Sequence, residues 1–449
     1  MNSPLPKVLH PVAGWPMIRR VIEGAKQAGS KENRVVLGFG EQLVRPVVEG
    51  LGGVCFRQQN QWGTADAVRA AQPESLEGLV VILNGDHPLI EAADIQGFVE
   101  SFLKGSAALA VVSCELKKPA HYGRIVRHKD RVQAIVEAKD ASHETLKIRE
   151  VNTGLYVVRA ELLNELLPQI QSHNAQNEFY LTDLVSLAVQ KGLEVEAIKA
   201  RPEVAFGVNS QSELAKATQK VFRRKAEALM AEGVILIDPS QTYIEDQVEV
   251  GSGSVIYPGA FILGQSRIGR FCVLEPNVFV QSTEIADSVR VKAGSYLEDS
   301  KVGESSQLGP YAHLRPQSEL GKQTKIGNFV ELKKTKMGDR SQASHLAYLG
   351  DSEIGEDTNI GCGVITCNYA VDKKKYKTKI GRGVFVGSDS QFIAPVEIGD
   401  GAVIGSGSTI TKDVPAGALA VARGRQRNIE DYKSRPSGAS TSAEKKKGD

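Results

Sequence analysis

Residues 244–280 read IEDQVE VGSGSV IYPGAF ILGQSR IGRFCV LEPNVF V, hexads that each open on an aliphatic residue. Ile244, Val250, Ile256, Ile262, Ile268, Leu274 and Val280 set the period. Four positions after an aliphatic residue comes a small one: Ser254, Ala260, Ser266 and Cys272. A second run follows Val302, Leu308, Leu314, Leu320, Ile326 and Leu332, with Ser306, Ala312, Ser318 and Thr324 at its small positions. A third follows Ile380, Val386, Phe392, Ile398, Ile404 and Ile410. Ile285-Val291-Leu297 and Ile354-Ile360 form shorter runs between them. This is the hexapeptide repeat of a parallel β-helix. Three hexads close one triangular coil, the large residue fills the core, and the small one lets the chain turn. Roughly nine coils at about 4.8 Å per step would extend about 45 Å.

Left-handed β-helices of this type are common among sugar and CoA acyltransferases, but a fold alone does not assign chemistry. A rigid scaffold is the alternative.

A chain of 449 residues exceeds one core and predicts two or three domains. Its 41% hydrophobic and 24% charged residues are ordinary for a soluble protein. A net charge of +2 gives no argument for nucleic acid or membrane partners. Cys55, Cys114, Cys272, Cys362 and Cys367 form no CxxC pair, so neither a zinc site nor a disulfide framework is indicated. With no basic-then-apolar leader and no long apolar run, a cytoplasmic enzyme is expected.

Before residue 210, apolar runs alternate with helical patterns. Arg34–Gly38, Leu79–Leu83 and Ala108–Val112 read as buried parallel strands, with helices over Pro16–Ala28 and Thr64–Ala71. The alternation predicts a Rossmann-like α/β sheet with its chemistry at the strand ends. Leu214, Ala217, Val221 and Leu229 mark a connecting helix. The expected division is 1–211, a connecting helix over 212–232, a β-helix over 233–432, and a disordered tail over 433–449, whose Lys445-Lys446-Lys447 reads as a solvated terminus.

Leu83-Asn84-Gly85-Asp86 ends a strand on a carboxylate, a hard donor that suits Mg²⁺. Read singly, Asp86 caps the next helix, Lys7 is a surface cation, and Gln61-Trp62-Gly63-Thr64 is a loop before a helix. In this order, however, these pieces resemble the sugar-nucleotide pyrophosphorylases. The match continues through His121-Tyr122-Gly123-Arg124, Ile135-Val136-Glu137-Ala138-Lys139, Val151-Asn152-Thr153-Gly154 and Gly207-Val208-Asn209. Followed by hexads, the layout resembles the bacterial bifunctional N-acetylglucosamine-1-phosphate uridyltransferase/glucosamine-1-phosphate acetyltransferases. Gly309–Pro316, Gly327–Lys334, His345–Gly350 and Ile365–Tyr369 carry the resemblance in the second half.

The resemblance implies two sites. In the first, Lys7 holds phosphate, Gln58, Gly63 and Thr64 frame the uracil, Asp86 and Asn209 share Mg²⁺, and Gly123, Glu137 and Asn152 contact the sugar. In the second, His345 is the general base, and Arg315 and Lys333 pair with the sugar phosphate. Tyr348 and Asn359 bind the sugar, while Cys362, Asn368, Tyr369, Ser388, Ser406 and Arg423 line the acetyl-CoA groove. Placed two residues after the inward Ala343, His345 should face outward. Substrates would be glucosamine-1-phosphate, acetyl-CoA and UTP, and the assembly a homotrimer.

Two departures from the family pattern stand out. Ala370 replaces an Asp of the cofactor loop, next to Lys373-Lys374-Lys375. The family's first strand and Gly-rich nucleotide loop precede a Met that coincides with Met1 here. Either the start codon is placed late, which is the favoured reading, or the chain transfers only acetyl groups. Loss of that strand would also expose neighbouring strand edges. A non-catalytic regulatory subunit, like certain translation-factor exchange subunits, is the remaining alternative. It has no need of His345, Arg315, Lys333 and Tyr348 together.

Overall fold

The computed structural model describes residues 1–430 and 432, apart from Asn2 and His173, so the expected tail lies outside the described residues. Two compact units emerge: Met1–Val248 with Phe261–Gly264, and Glu249–Ala260 with Gln265 onward.

The first unit opens with a hairpin, β1 (Pro11–Val12) and β2 (Trp15–Pro16), leading into α1 (Met17–Gln27). Ala13 and Gly14 take positive φ in its two-residue turn, the geometry that matches strand twist. Then come β3 (Arg34–Leu37), α2 (Glu41–Gly50), β4 (Val54–Arg57), α3 (Thr64–Ala70), β5 (Leu79–Ile82), α4 (Ala92–Lys104) and β6 (Leu109–Glu115). After them follow β7 (Arg124–His128), β8 (Arg131–Val136), α5 (His143–Leu146), β9 (Glu150–Arg159), α6 (Ala160–Leu166), α7 (Asp183–Gln190), β10 (Val195–Lys199) and α8 (Gln211–Ala231).

Only part of the expected parallel sheet is parallel. β3 pairs β4, and β10 pairs β6, in parallel. β5 and β6 run the same way but are not neighbours, because β9 lies between them, antiparallel to both. The β7–β8 hairpin turns the chain back, so β9 enters in the opposite direction. Among the described residues β3 and β5 each have one strand partner, and β5 is half-buried where full burial was expected.

β6 explains why helices cover both faces. Leu109 and Val111 pack with Leu163 of α6 and Leu184 of α7. Ala110 and Val112 pack with Val21 of α1 and Phe98 of α4. Successive strand residues point to opposite faces, so an unbroken apolar strand needs apolar cover on both. α8 begins at a capping box, with Ser210 Oγ accepting from the Glu213 amide at 3.2 Å and Glu213 Oε2 accepting from the Ser210 amide at 2.8 Å. Its buried side is Ala217, Val221, Ala226 and Leu229.

The second unit is a parallel β-helix. Val255–Ile256 stacks on Val273–Leu274, then Arg290–Val291, Gln307–Leu308 and the long strand Lys325–Lys333. The column continues through Gln342–Gly350, Asn359–Ile360, Phe385–Val386 and Val403–Ile404. Ile256, Leu274, Val291, Leu308, Ile326, Ala343, Ile360, Val386 and Ile404 all point inward and are buried. The small residues do more than leave room. Ser254 Oγ accepts from the Cys272 amide at 2.9 Å, and Ser306 Oγ from the Thr324 amide at 3.0 Å. Buried corner amides are thereby satisfied.

One face is a nine-stranded sheet, one strand per coil, as the hexad count predicts. Its outward positions alternate in charge: Glu249, Arg267, Glu284, Lys301, Glu319, Lys336, Glu353, Lys379, Glu397. Like charges directly opposite would repel at this spacing. Alternation instead gives pairs such as Lys336–Glu319 at 3.2 Å and Lys379–Glu397 at 2.7 Å. Among the described residues no helix is long and apolar enough to cross a membrane.

Candidate active sites

In the first unit, Lys7 follows Pro6 at the start of a short 3-10 turn. Its Nζ lies 2.5 Å from Asp86 Oδ2 and 2.9 Å from Asn209 Oδ1. Asp86 stands just beyond β5, and its carbonyl accepts from the Val208 amide at 3.0 Å, which holds the segment bearing Asn209 against the strand end. The neighbouring His87 is buried, with Nδ1 3.0 Å from the Val204 carbonyl oxygen, and burial lowers its imidazole from the usual range.

These oxygens suit Mg²⁺. Two hard donors converge on a single cation, Lys7 Nζ, so their spacing suits one small ion. Among the described residues no group of three or more His, Cys, Asp or Glu is placed to hold a metal. Mg²⁺ needs no such cage, since it keeps waters and takes one or two protein oxygens plus substrate phosphates.

Gln58 Nε2 donates to the Gly63 carbonyl at 3.2 Å and to Asp66 Oδ2 at 2.8 Å. Gly63 has φ +115, and a Cβ there would lie 2.5 Å from the Phe179 carbonyl oxygen. Only glycine fits this approach to the 179–181 segment. Thr64 Oγ1 accepts from the Leu181 amide at 2.9 Å, so the hydroxyl already fastens that segment.

Gly123, Glu137 and Asn152 also meet. The Asn152 amide donates to the Gly123 carbonyl at 2.9 Å, and a Cβ on Gly123 would lie 3.2 Å from Glu137 Oε1. Asn152 Nδ2 donates to Tyr156 Oη at 2.9 Å, and Asn152 Oδ1 accepts from the Gly154 amide at 3.0 Å. Burial pushes the Glu137 carboxyl above the usual carboxylate range.

In the second unit, the strands Lys325–Lys333 and Gln342–Gly350 pair along almost their full length. Asn328 faces His345, Glu331 faces Tyr348, and Lys333 faces Gly350. His345 is exposed, as its offset from Ala343 predicts. Arg315 Nη1 donates to Glu331 Oε1 at 2.8 Å, and that bond raises the guanidinium above its usual range. Gly350 has no room for a side chain. A Cβ would lie 2.5 Å from Tyr348 Oη and 2.7 Å from Asn368 Nδ2, which the missing side chain lets come together. Asn368 also donates to Asp351.

Lys375, in a Lys run that reads as a solvated loop, lies near Lys333. Its ammonium stands beside that of Lys333, and the two like charges lower Lys333. Gln342 pairs with Asn359, but Asn359 pairs with Phe385, so one coil carries an insertion. Residues 369–377 bulge out between the strands Ile365–Cys367 and Thr378–Ile380, closed by a bridge between Tyr369 and Lys375. The loop keeps a carboxylate despite Ala370. Asp372 accepts from the Lys374 amide at 2.9 Å and from Tyr376 Oη at 2.7 Å.

Asn359, Cys362, Ser388, Ser406 and Arg423 belong to consecutive coils, with Cys362, Ser388 and Ser406 each following a glycine. The Asp389 amide donates to the Cys362 carbonyl at 2.7 Å, the Gly407 amide to Ser388 at 2.9 Å, and Arg423 Nη1 to the Ser406 carbonyl at 2.7 Å. Cys362 is exposed, while Cys272 is buried in the core, where its small-residue position predicts. A groove of about 910 Å³ in this unit runs along Gly321, Gly338, Gly355, Gly381 and Gly399 and is lined by none of the candidate residues.

Comparison with known proteins places both halves. Residues 1–151 match the MobA-like NTP transferase domain, and residues 377–412 match the bacterial transferase hexapeptide (six repeats). The Bifunctional protein GlmU of Bdellovibrio bacteriovorus is 59% identical over 432 residues, 96% of this chain and 94% of that protein. That of Syntrophotalea carbinolica is 47% identical over 438 residues, 97% of this chain and 94% of that protein. A crystal structure of UDP-glucose pyrophosphorylase with UDP-glucose aligns at TM-score 0.40 and 16% identity, over 49% of this chain and 91% of that one. Likeness of this extent, running through both the α/β unit and the β-helix, makes the chain a member of the family of bifunctional GlmU acetyltransferases/uridyltransferases.

Proposed function

We propose that the two reactions are divided between residues 1–211 and 233–432, with 212–232 as the connecting helix, and that acetyl transfer comes first. The enzyme acetylates glucosamine-1-phosphate with acetyl-CoA and transfers UMP from UTP to the product, using Mg²⁺ in the second reaction. The observation that carries the residue assignment is the paired strands Lys325–Lys333 and Gln342–Gly350. They set His345, Tyr348, Lys333 and the Arg315-bound Glu331 side by side on two coils.

In acetyl transfer, Arg315 and Lys333 hold the sugar phosphate, with Lys375 as a third cation. Tyr348 and Asn359 orient the sugar. The sugar amine attacks the thioester carbonyl, a C–N bond forms and the C–S bond breaks. His345 takes the amine proton as general base, and the CoA thiolate leaves to be protonated. Cys362, Ser388, Ser406 and Arg423, stacked on successive coils with Asn368 and Tyr369 at the inserted loop, form the acetyl-CoA groove. No covalent enzyme intermediate is needed, so Cys362 has no nucleophilic part.

In uridyl transfer, an oxygen of N-acetylglucosamine-1-phosphate attacks the α-phosphorus of UTP and pyrophosphate leaves. Asp86 and Asn209 would hold Mg²⁺, which would neutralise phosphate charge when bound. Lys7 steadies the phosphates, Gln58, Gly63 and Thr64 frame the uracil, and Gly123, Glu137 and Asn152 receive the sugar. Catalysis is mostly positioning. Because His345, Cys362, Ser388, Ser406 and Arg423 are exposed on one chain, a homotrimer in which a second copy walls the acetyl site is part of this reading. So is a cytoplasmic location, where UTP and acetyl-CoA are available.

The order of reactions is tested by leaving out one substrate. Glucosamine-1-phosphate, UTP and Mg²⁺ should release pyrophosphate only when acetyl-CoA is added. Equal pyrophosphate release without acetyl-CoA would overturn the order, and a monomer in equilibrium sedimentation would overturn the trimer.

A further inference from the structure

Gly327 lies against the carbonyl of Ser344 in the next coil, where a Cβ would fall 1.7 Å from the oxygen. Only glycine permits this approach, and it brings the backbone just before His345 close to the preceding coil. One residue on, Asn328 pairs in register with His345, and Asn328 Oδ1 lies 3.0 Å from His345 Nδ1. Among the described residues this is the one hydrogen bond to that ring, which is otherwise exposed. An amide oxygen only accepts, so Nδ1 carries the hydrogen and the lone pair lies on Nε2.

We infer that Asn328 is a positioning residue for acetyl transfer, fixing the ring plane and the Nδ1–H tautomer of His345 so that Nε2 faces the attacking amine. The inference rests on His345 being the general base. An exposed imidazole left alone samples several ring orientations and both tautomers, and only a fraction of these present a basic nitrogen to the amine. A neutral amide orients the ring without favouring the imidazolium, which a carboxylate at the same place would do.

The test uses full-length Asn328→Ala, Asn328→Asp and His345→Ala proteins, assayed for CoA release over a range of pH. Asn328→Ala should lower kcat by about 10–100-fold, with both KM values within about twofold of the parent. Asn328→Asp keeps an acceptor on Nδ1, so it should recover most of kcat and move the acid limb of the kcat profile to higher pH. A residue needed only for coil packing would not move that limb. Parent-like kcat in Asn328→Ala, or an unmoved limb in Asn328→Asp, overturns the inference. His345→Ala separates the two readings. If it is inactive while Asn328→Ala is not, positioning fails and the general base stands, whereas parent-like activity in His345→Ala removes the base itself and the inference with it.

Discussion

Lys7 Nζ bridges Asp86 Oδ2 and Asn209 Oδ1, at 2.5 and 2.9 Å, so one ammonium joins residues that lie far apart in the sequence. The same two oxygens are the donors proposed for Mg²⁺, and Lys7 is the cation proposed for the nucleotide phosphates. Removing Lys7 and removing Asp86 should therefore differ. Asp86→Ala should abolish manganese binding in the presence of UTP, measured by electron paramagnetic resonance. Lys7→Met should keep manganese binding and raise the KM for UTP by about tenfold, the scale of one charge-assisted hydrogen bond. Matching losses of manganese binding in both variants would contradict this division of labour.

Arg315 and Lys333 meet only the sugar phosphate in this account. Arg315→Ala and Lys333→Ala should each raise the KM for glucosamine-1-phosphate by about 10–100-fold and change the KM for acetyl-CoA much less. Lys375→Ala should act in the same direction, because its ammonium stands beside Lys333. Equal losses for both substrates would point to a different site or to misfolding.

Glu137 gives a pH-dependent prediction. Burial raises its folded pKa above the unfolded value, so the folded state binds more protons between the two. The carboxyl's contribution is fully present below the unfolded pKa and is lost as pH rises through the folded one. Glu137→Gln should therefore raise the melting temperature of the first unit by roughly 1–3 °C at pH 7–8 and show no such gain near pH 4. The same change should weaken binding of N-acetylglucosamine-1-phosphate. A gain of equal size at both pH values would remove the burial argument.

Gly350 is predicted to tolerate no side chain. In Gly350→Ala the new Cβ would lie 2.5 Å from Tyr348 Oη and 2.7 Å from Asn368 Nδ2, so both must shift. Acetyl transfer should fall by about a hundredfold, while pyrophosphate release stays at the parent level. Parent-like acetyl transfer would mean that this junction does not position substrate.

The hexads made the β-helix legible because the inward position repeats and almost every occupant is aliphatic. The reading faltered where spacing or residue type changed. Met337 and Leu349 are buried core positions outside the visible runs, and Met337 is unlike its aliphatic neighbours. Lys373-Lys374-Lys375 reads as a solvated loop, because residues 369–377 are an insertion and periodicity says nothing of where an inserted loop folds back. Asn328 was part of a quoted motif, but its partnership with His345 depends on coil register. In the first unit, apolar runs gave the strands but not the reversal of β9. Strand direction is set by the β7–β8 hairpin, while composition reports only burial. The proposed metal ligands Asp86 and Asn209 rest on resemblance alone, since neither has a local pattern that separates a ligand from a cap.

On the proposed assignment one chain carries two independent sites, with Asp86 essential to one and His345 to the other. Both products, CoA thiol and pyrophosphate, can be followed on one preparation of each variant supplied with glucosamine-1-phosphate and acetyl-CoA or with N-acetylglucosamine-1-phosphate, UTP and Mg²⁺. His345→Ala should lower CoA release by about two to four powers of ten and leave pyrophosphate release intact, while Asp86→Ala should do the reverse. Loss of both products in either variant, or of neither in both, would contradict that assignment.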